Sequence, residues 1–405
     1  MSFVRAKELT VWLDFGSTPS RKVGRLADTR AGVLFEYDDG FLRSGLELSP
    51  FRLPLGPGVV RGDPRVYDGL PGVFEDCLPD GWGRLLLDRR LAQLNVEPRL
   101  LGPLDRLAFL GPLKLGALRF EPSHRYEPPS VVSLLSLERE AQAVFTGATD
   151  VDLDRLIALG GSPQGARPKV LIQRKGQQLR PEQGPTTGWT SWMVKFRARD
   201  DADDAALVEH LWMELARSCG LETAETALME AKGTQRRHFA TRRFDRVGKR
   251  RLHLHSLGGL LHVPFGVPAV DYRDLLRVTR ALTRDERQVT KAFLLACFNV
   301  LAGNRDDHAR NVAFLMSDEG QWSLAPAFDL TPSEGPGGQH AMSVCGSGLP
   351  GLGELQRLAD ELHVEDATKA LSSVKRGLSR FAQLAKSLRV KPALARRLAE
   401  RLDVA

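Results

Sequence analysis

The sequence has little cysteine, no long apolar run and only a modest excess of positive charge. Its 405 residues contain four scattered cysteines, Cys77, Cys219, Cys297 and Cys345. Their spacing fits neither a disulfide framework nor a structural zinc site. No apolar stretch approaches the roughly 18 residues that cross a membrane, and the N-terminal residues lack the apolar core of a secretion signal. We therefore expect a reduced, cytoplasmic protein in which Cys219 and Cys297 are buried thiols.

Length and charge limit the organisation further. A chain of this length exceeds a single hydrophobic core and should form two or three domains. The net charge of +7 is unevenly spread, with eight basic residues and one acidic residue between positions 234 and 251. That basic hairpin could contact nucleic acid or could be a solvated sheet edge, and the composition leaves both open. A second basic run, from 375 to 401, is more typical of solvated helix faces.

Apolar periodicity gives the order of the elements. Alternating residues predict strands at 9–15, 22–26 and 32–37, a helix at 84–94 and a closing strand at 116–120. Prolines between 121 and 129 mark the clearest linker. A helix at about 137–145 and a second β-rich portion follow, and beyond residue 271 the pattern is helical almost to the end.

The most informative feature is the polar run from 303 to 311, which places Asp306 five positions before Asn311, with Asp329 eighteen positions further on. Phosphoryl transfer from ATP needs one carboxylate to orient the attacking hydroxyl, and an Asn and an Asp to hold the magnesium that bridges the phosphates. An apolar helix at 291–302 precedes this loop, and a predicted hairpin of strands 312–316 and 322–325 follows it. A polar loop between buried elements is a common place for catalytic residues. The pattern predicts a kinase; the alternative is an Asp/Asn-rich turn with ordinary capping roles.

Two upstream features could complete such a site. A glycine-rich segment at 160–169 precedes a strand; its glycines would let backbone amides approach phosphate, and Lys169 would add charge. It matches neither the Walker loop nor the eukaryotic kinase loop, so a plain hairpin turn is the alternative. Lys195 lies inside an apolar strand, and a buried lysine needs a partner, for which Glu209 on the next helix is suitable. The alternative is a strand-end lysine that extends to water.

Seven motifs in order resemble those of the HipA family, the serine/threonine kinases that form the toxin half of bacterial type II toxin–antitoxin modules. The motifs are residues 76–84, 115–120, 165–169, 194–196, 243–246, 306–311 and 327–330, so they are spread over nearly the whole chain.

The resemblance implies a role for each matching residue. Asp306 would be the catalytic aspartate, and Asn311 and Asp329 would bind Mg²⁺. Lys195 would contact the ATP phosphates. The residues expected to bind the nucleotide are Gly165, Ala166, Lys169, Lys195, Arg243 and Phe244. Ser162 falls where some members carry a serine whose autophosphorylation is linked to inactivation.

Some positions depart from the family pattern. Arg242 stands where some members have an acidic residue, and His255-Ser256 replaces a common acidic pair. His253 and His255 alternate on a strand, but no third metal ligand is within reach, so we expect two histidines packed beside the site. His308 is expected to brace the loop while Asp306 orients the substrate.

The sequence therefore predicts an α+β fold: a β-rich N-terminal subdomain (1–122), a mixed kinase N-lobe (130–265) and a mainly helical C-lobe (266–405). The resemblance implies ATP and Mg²⁺ as cofactors and a protein substrate of the aminoacyl-tRNA synthetase class. It also implies a small helix-turn-helix antitoxin as partner, and operator DNA bound through that complex. A small-molecule or lipid kinase and a non-catalytic DNA-bound corepressor remain as alternatives.

Overall fold

The computed structural model describes residues 5–111, 115–127, 129, 131–160, 165–184, 186–198, 200–264 and 269–402, and it has the mixed α and β composition that the sequence predicts. The strands are β1 (Glu8–Leu13), β2 (Arg21–Thr29), β3 (Gly32–Tyr37), β4 (Val59–Arg61), β5 (Leu118–Glu121), β6 (Lys169–Lys175), β7 (Gln178–Pro181), β8 (Thr190–Lys195), β9 (Thr226–Glu230), β10 (Arg237–Arg242), β11 (Arg246–Val247), β12 (Arg250–Arg251), β13 (His253–Ser256), β14 (Ala313–Met316) and β15 (Trp322–Leu324). The α-helices are α1 (Asp39–Leu42), α2 (Gly72–Glu75), α3 (Gly81–Gln93), α4 (Pro103–Phe109), α5 (Leu134–Phe145), α6 (Leu153–Gly160), α7 (Ala205–Ser218), α8 (Leu257–Leu261), α9 (Tyr272–Thr283), α10 (Glu286–Leu301), α11 (Leu352–Glu361), α12 (Ala367–Leu378), α13 (Phe381–Ser387) and α14 (Pro392–Ala399). Across the described ranges, no helix is both long and apolar enough to cross a membrane.

The N-terminal part forms a five-stranded antiparallel sheet in the order β4-β3-β2-β1-β5. Alternate residues of β1, Leu9, Val11 and Leu13, are fully buried, so the alternation in the sequence marks the core face of the sheet. β5 closes the sheet against β1, with Val11 opposite Phe120. The predicted strands of this region are confirmed.

A second five-stranded sheet, β7-β6-β8-β10-β9, follows. Its central strand β8 ends at Lys195, which stands opposite Lys169 on β6 and Phe239 on β10. Helix α3, from the N-terminal part, contributes Trp82 and other apolar side chains to the same buried cluster as this sheet. Packing is therefore continuous across residue 122.

In the C-terminal part, helices α9–α14 pack together with α7 of the middle part into one apolar cluster that includes α10. Helix α10 begins five residues before the apolar run that predicted it, because Asp285 caps it by accepting a hydrogen bond from Arg287 N. The helix ends at Leu301, and the polar loop follows directly. After the loop, β14 and β15 pair with the earlier strand β13 in a three-stranded sheet, β13-β14-β15.

The basic hairpin is largely neutralised within the molecule. Arg236 pairs with Glu138, Arg242 with Glu225, and Arg251 with Asp14. Arg243 and Arg246 are buried and share Asp245. Much of this positive charge thus serves internal ion pairs, which neither of the two interpretations of the hairpin anticipated.

Candidate active site

The predicted site residues line one cleft of about 490 Å³ between the second sheet and the helical part. From the set predicted by sequence, the cleft brings together Gly165, Ala166, Lys169, Lys195, Arg243, Phe244, Asp306, His308, Asn311 and Asp329. Glu209 contacts Lys195 from behind. Ser162 lies outside the described residues.

Lys195 forms the centre of the charged end of the cleft. Its side chain is buried, and its Nζ donates to Glu209 Oε1 and to Asp329 Oδ1, each at 2.5 Å. Burial alone would lower the pKa of Lys195, but Asp329 and then Glu209 outweigh that effect and raise it. The predicted contact with Glu209 is confirmed, and a lysine that extends to water is excluded. The ammonium is held as a fixed positive charge.

Glu209 also receives a second cation that the sequence did not indicate. Arg167 Nη1 donates to Glu209 Oε2 at 3.3 Å, and Arg167 Nε lies 3.0 Å from Asp201 Oδ2. Arg167 belongs to the motif at 165–169, so the motif itself was the available signal. The arrangement fixes Glu209 on α7 between two cations and thereby orients Lys195.

Asp329 is held in an unusual conformation. Its φ of 55° lies in the left-handed region that residues other than glycine seldom adopt. Burial would raise the pKa of this carboxyl, but Lys195 and Lys169 hold it well below its usual range. Asp329 is therefore ionised at neutral pH and faces the cleft.

Asp306 has the opposite electrostatic environment. Burial raises the pKa of Asp306, with a further increase from Asp329 and an opposing effect from His308. A raised pKa makes a carboxylate a better proton acceptor near neutral pH. Asn311 Nδ2 donates to the carbonyl oxygen of Asp306 at 2.9 Å, so one hydrogen bond spans the loop between the two residues.

Asp307, which the sequence analysis did not single out, anchors the loop to the helical part. Its buried carboxylate accepts from Tyr272 Oη at 2.7 Å, from His340 Nδ1 at 2.9 Å and from Ala341 N at 2.9 Å. Asn299 of α10 in turn donates to Tyr272 Oη at 2.8 Å. The available signal was an aspartate beside the predicted base; its partners lie too far away in sequence to be inferred.

Lys169 and Gly165 meet at the upper edge of the cleft. Gly165 has φ +107°, a backbone conformation that favours glycine, and a Cβ there would also lie 2.2 Å from Lys169 Nζ. Burial and the neighbouring Lys195 lower the pKa of Lys169 to about 8. The neighbouring positive charges of Lys169 and Lys195 favour anionic groups beside them, and Asp329 is one such group.

The other end of the cleft is apolar. Phe244 packs against Phe328 with ring centroids 5.3 Å apart, and Met193 and Leu254 also line the wall. The Arg243 side chain lies in a buried ion network with Asp245, and Phe244 belongs to the lining of the cleft. One apolar end and one charged end suit a nucleoside with attached phosphates.

The two strand histidines join parts of the molecule. His255 Nδ1 lies 2.6 Å from Asp76 Oδ2, and its Nε2 lies 2.9 Å from Ser49 Oγ. His253 Nε2 lies 3.1 Å from the carbonyl oxygen of Leu48. Both therefore connect β13 to the N-terminal part, and neither is among the residues that line the cleft.

The residues also fit a divalent cation. Asn311 and Asp329 offer amide and carboxylate oxygens, the ligands that Mg²⁺ prefers. Among the residues that the structure describes, no group of three or more His, Cys, Asp or Glu side chains forms a metal site by itself. A nucleotide's phosphate oxygens and water would have to supply the remaining ligands, as is usual for magnesium bound with ATP.

The chain is similar to known proteins in both structure and sequence. The chain is similar to HipA in a structure of the Shewanella oneidensis MR-1 toxin–antitoxin system HipA, HipB and its operator DNA, with a TM-score of 0.68, 19% identity, and coverage of 98% of this chain and 96% of that chain. It is 29% identical over 348 residues to the "Putative kinase Y4mE" of Sinorhizobium fredii (strain NBRC 101917 / NGR234), which covers 80% of this chain and 76% of that protein. The Helicobacter pylori proinflammatory kinase CtkA matches 53% of this chain and 82% of its own at 15% identity, with a TM-score of 0.36, too low to carry an argument.

Two family descriptions match most of the sequence. Residues 11–121 match the HipA N-terminal domain, and residues 161–402 match the HipA-like C-terminal domain. The second match alone covers more than half of the chain. The chain therefore belongs to the HipA family.

Proposed function

We propose that this chain is an ATP- and magnesium-dependent serine/threonine protein kinase that acts as the toxin of a toxin–antitoxin module. The observation that carries the proposal is the charged end of the cleft, where Lys195 bridges Glu209 and Asp329 beside Asp306 and Asn311. In phosphoryl transfer the protein contributes mainly positioning and charge, and these residue types supply both.

Each residue has a distinct part in the proposed reaction. Asp306 accepts the proton of the attacking hydroxyl and orients it. Lys195 and Lys169 place positive charge beside the phosphates, and Asn311 and Asp329 would hold Mg²⁺. When bound, the metal would neutralise charge on the transferring phosphate. The apolar wall around Phe244 would receive the adenine.

The proposed substrate and partners rest on the family. By analogy with family members, the substrate would be a translation component of the aminoacyl-tRNA synthetase class. The solved Shewanella HipA structure contains HipB and operator DNA, which supports a small helix-turn-helix antitoxin and operator DNA as partners of this chain.

Incubation with γ-labelled ATP, Mg²⁺ and a cell lysate tests the proposal against its alternatives. We expect label on protein serine or threonine, identified by phosphoamino acid analysis. If label appears only in small molecules, the chain is a small-molecule kinase and the protein-kinase proposal is wrong. Absence of any transfer would instead favour the non-catalytic corepressor.

A further inference from the structure

The segment from Glu75 to Trp82 links α2 to α3 and leaves the N-terminal sheet to contact the core. Its first anchor is Asp76, which is buried. Asp76 accepts from Ser256 N and Ser256 Oγ, each at 2.6 Å, and lies at the same distance from His255 Nδ1. These bonds tie the segment to the start of α8.

The same segment reaches the catalytic loop. Arg310 Nη2 donates to Glu75 Oε1 at 3.0 Å, and Arg310 Nη1 lies 3.6 Å from Asp80 Oδ2. Arg310 directly precedes Asn311, so two acidic residues of the N-terminal part hold the backbone next to a proposed metal ligand. Arg310 itself is largely buried, which limits the screening of these contacts.

The segment also holds the upper edge of the cleft. Gly165 N donates to Asp80 Oδ1, and Trp82 N donates to the carbonyl oxygen of Gly165 at 3.1 Å. The two chains approach so closely that a Cβ at Gly81 would lie 2.6 Å from Ala166 Cα. Gly165 and Ala166 lead directly to Lys169 and β6.

Asp80 stands where an aspartate would ordinarily cap α3. In the described part of the chain, however, its side chain makes no capping bond to that helix. The carboxylate instead bonds to Gly165, 85 positions away in sequence. Replacing Asp80 should thus alter the cleft without removing a helix cap.

We propose that Asp80 is a positioning residue that sets the separation between the two edges of the nucleotide cleft. One carboxylate oxygen holds the Gly165 amide at the upper edge, and the other faces Arg310 of the catalytic loop at the lower edge. Holding both edges before the nucleotide arrives reduces the ordering that binding requires. The inference rests on the function proposed above and assigns a role to the motif at 76–84.

The test compares Asp80→Ala and Asp80→Asn with the control Asp88→Ala. Asp88 lies on α3 and pairs with Arg106 at 3.0 Å, within the N-terminal part. For Asp80→Ala we expect roughly tenfold weaker binding of a non-hydrolysable ATP analogue with Mg²⁺, measured by calorimetry, and roughly tenfold faster hydrogen exchange at Gly165. Asp80→Asn keeps an oxygen that accepts the amide bond and should stay within about threefold of the wild type. Asp88→Ala should change neither quantity.

The outcomes separate the two proposals. If the wild type binds the analogue and Asp80→Ala binds it equally well, the positioning role is wrong while the proposed function stands. The role is also wrong if Asp80→Ala and Asp88→Ala weaken binding equally, since that indicates a general loss of stability. A wild type that binds no analogue overturns the proposed function and this inference with it.

Discussion

Lys195 shows how one side chain links distant parts of the sequence at the site. Its pairing with Glu209 could be predicted from the sequence, because an apolar strand followed by an amphipathic helix puts both residues toward the same core. Its second partner could not be predicted, because Asp329 lies 134 positions away in sequence and no local sequence pattern shows that the two residues meet. The same limit applies to Asp80 and Gly165.

Replacing this lysine tests its proposed role at the phosphates. Lys195→Met removes the fixed cation while Arg167 still pairs with Glu209, so the fold should persist. We expect phosphoryl transfer to fall by at least ~10²-fold. Lys291→Met, which breaks a surface pair with Glu222, is the matched control. If Lys195→Met transfers phosphate at the rate of the control, Lys195 has no role at the phosphates.

Ser162 gives a second prediction at the same scale. A phosphate on Ser162 would add about −1.5 to −2 charge, which Arg167 or Lys169 could capture. Mass spectrometry after ATP treatment should find phosphate on Ser162 in active protein and none in Asp306→Asn. An unmodified Ser162 in protein that phosphorylates other acceptors would refute the predicted modification.

At the level of elements, the sequence located most helices and strands but not what holds the loops between them. Apolar runs in the sequence predicted helix α10 and the hairpin β14–β15, and the polar run between them predicted the loop. The brace under that loop combines Asp307 with Tyr272 of α9, Asn299 of α10 and His340. Each of these residues is unremarkable in its own segment, and only the packing of the helices brings them together.

Asp307→Asn tests that brace. The Asp307 carboxylate accepts from Tyr272 Oη, His340 Nδ1 and Ala341 N, and the amide would turn an NH₂ group toward at least one of these donors. We therefore expect a loss of about 2 kcal/mol or more in the free energy of unfolding. Transfer should also fall roughly tenfold or more, since the adjacent Asp306 loses its orientation. Asp318→Asn, in the turn between β14 and β15, serves as the control. Unchanged unfolding and transfer in Asp307→Asn would show that the network does not position the loop.

In the whole molecule, the N-terminal part and the core form a continuous packing arrangement. Helix α3 shares an apolar cluster with the second sheet, and Met316 of β14 joins the core of the first. The prolines between 121 and 129 predicted a linker between separate subdomains. The interlocking of these parts could not be predicted, because it depends on close approaches between distant segments, such as Gly72 of α2 against Gly259 of α8.

His253 gives this interface a dependence on pH. Burial first, and then His255, lower its pKa from 6.5 to about 3. Below pH 6.5 His253 binds a proton in the unfolded chain but not in the folded protein. The free energy of unfolding is therefore unaffected by this group above that pH and decreases as the pH falls toward 3. This group alone should cost about 1 kcal/mol per pH unit over that range. In His253→Gln, chemical unfolding should show a correspondingly shallower acid dependence.

The exposed His363→Asn is the control for this measurement, because Asn tolerates the left-handed φ of 49° at that position. It should retain the wild-type slope. Equal acid dependence in the wild type and His253→Gln would mean that His253 does not stay neutral in the folded protein.

Transfer of labelled γ-phosphate from ATP to protein, measured for the wild type and Asp306→Asn at matched folded concentration, tests the central claim most directly. Asp306 lies on a loop and its carboxylate faces the cleft, so the substitution should leave circular dichroism and thermal unfolding almost unchanged. We expect label on serine or threonine with the wild type and at least ~10²-fold less with Asp306→Asn. Near-wild-type transfer by Asp306→Asn would contradict the account.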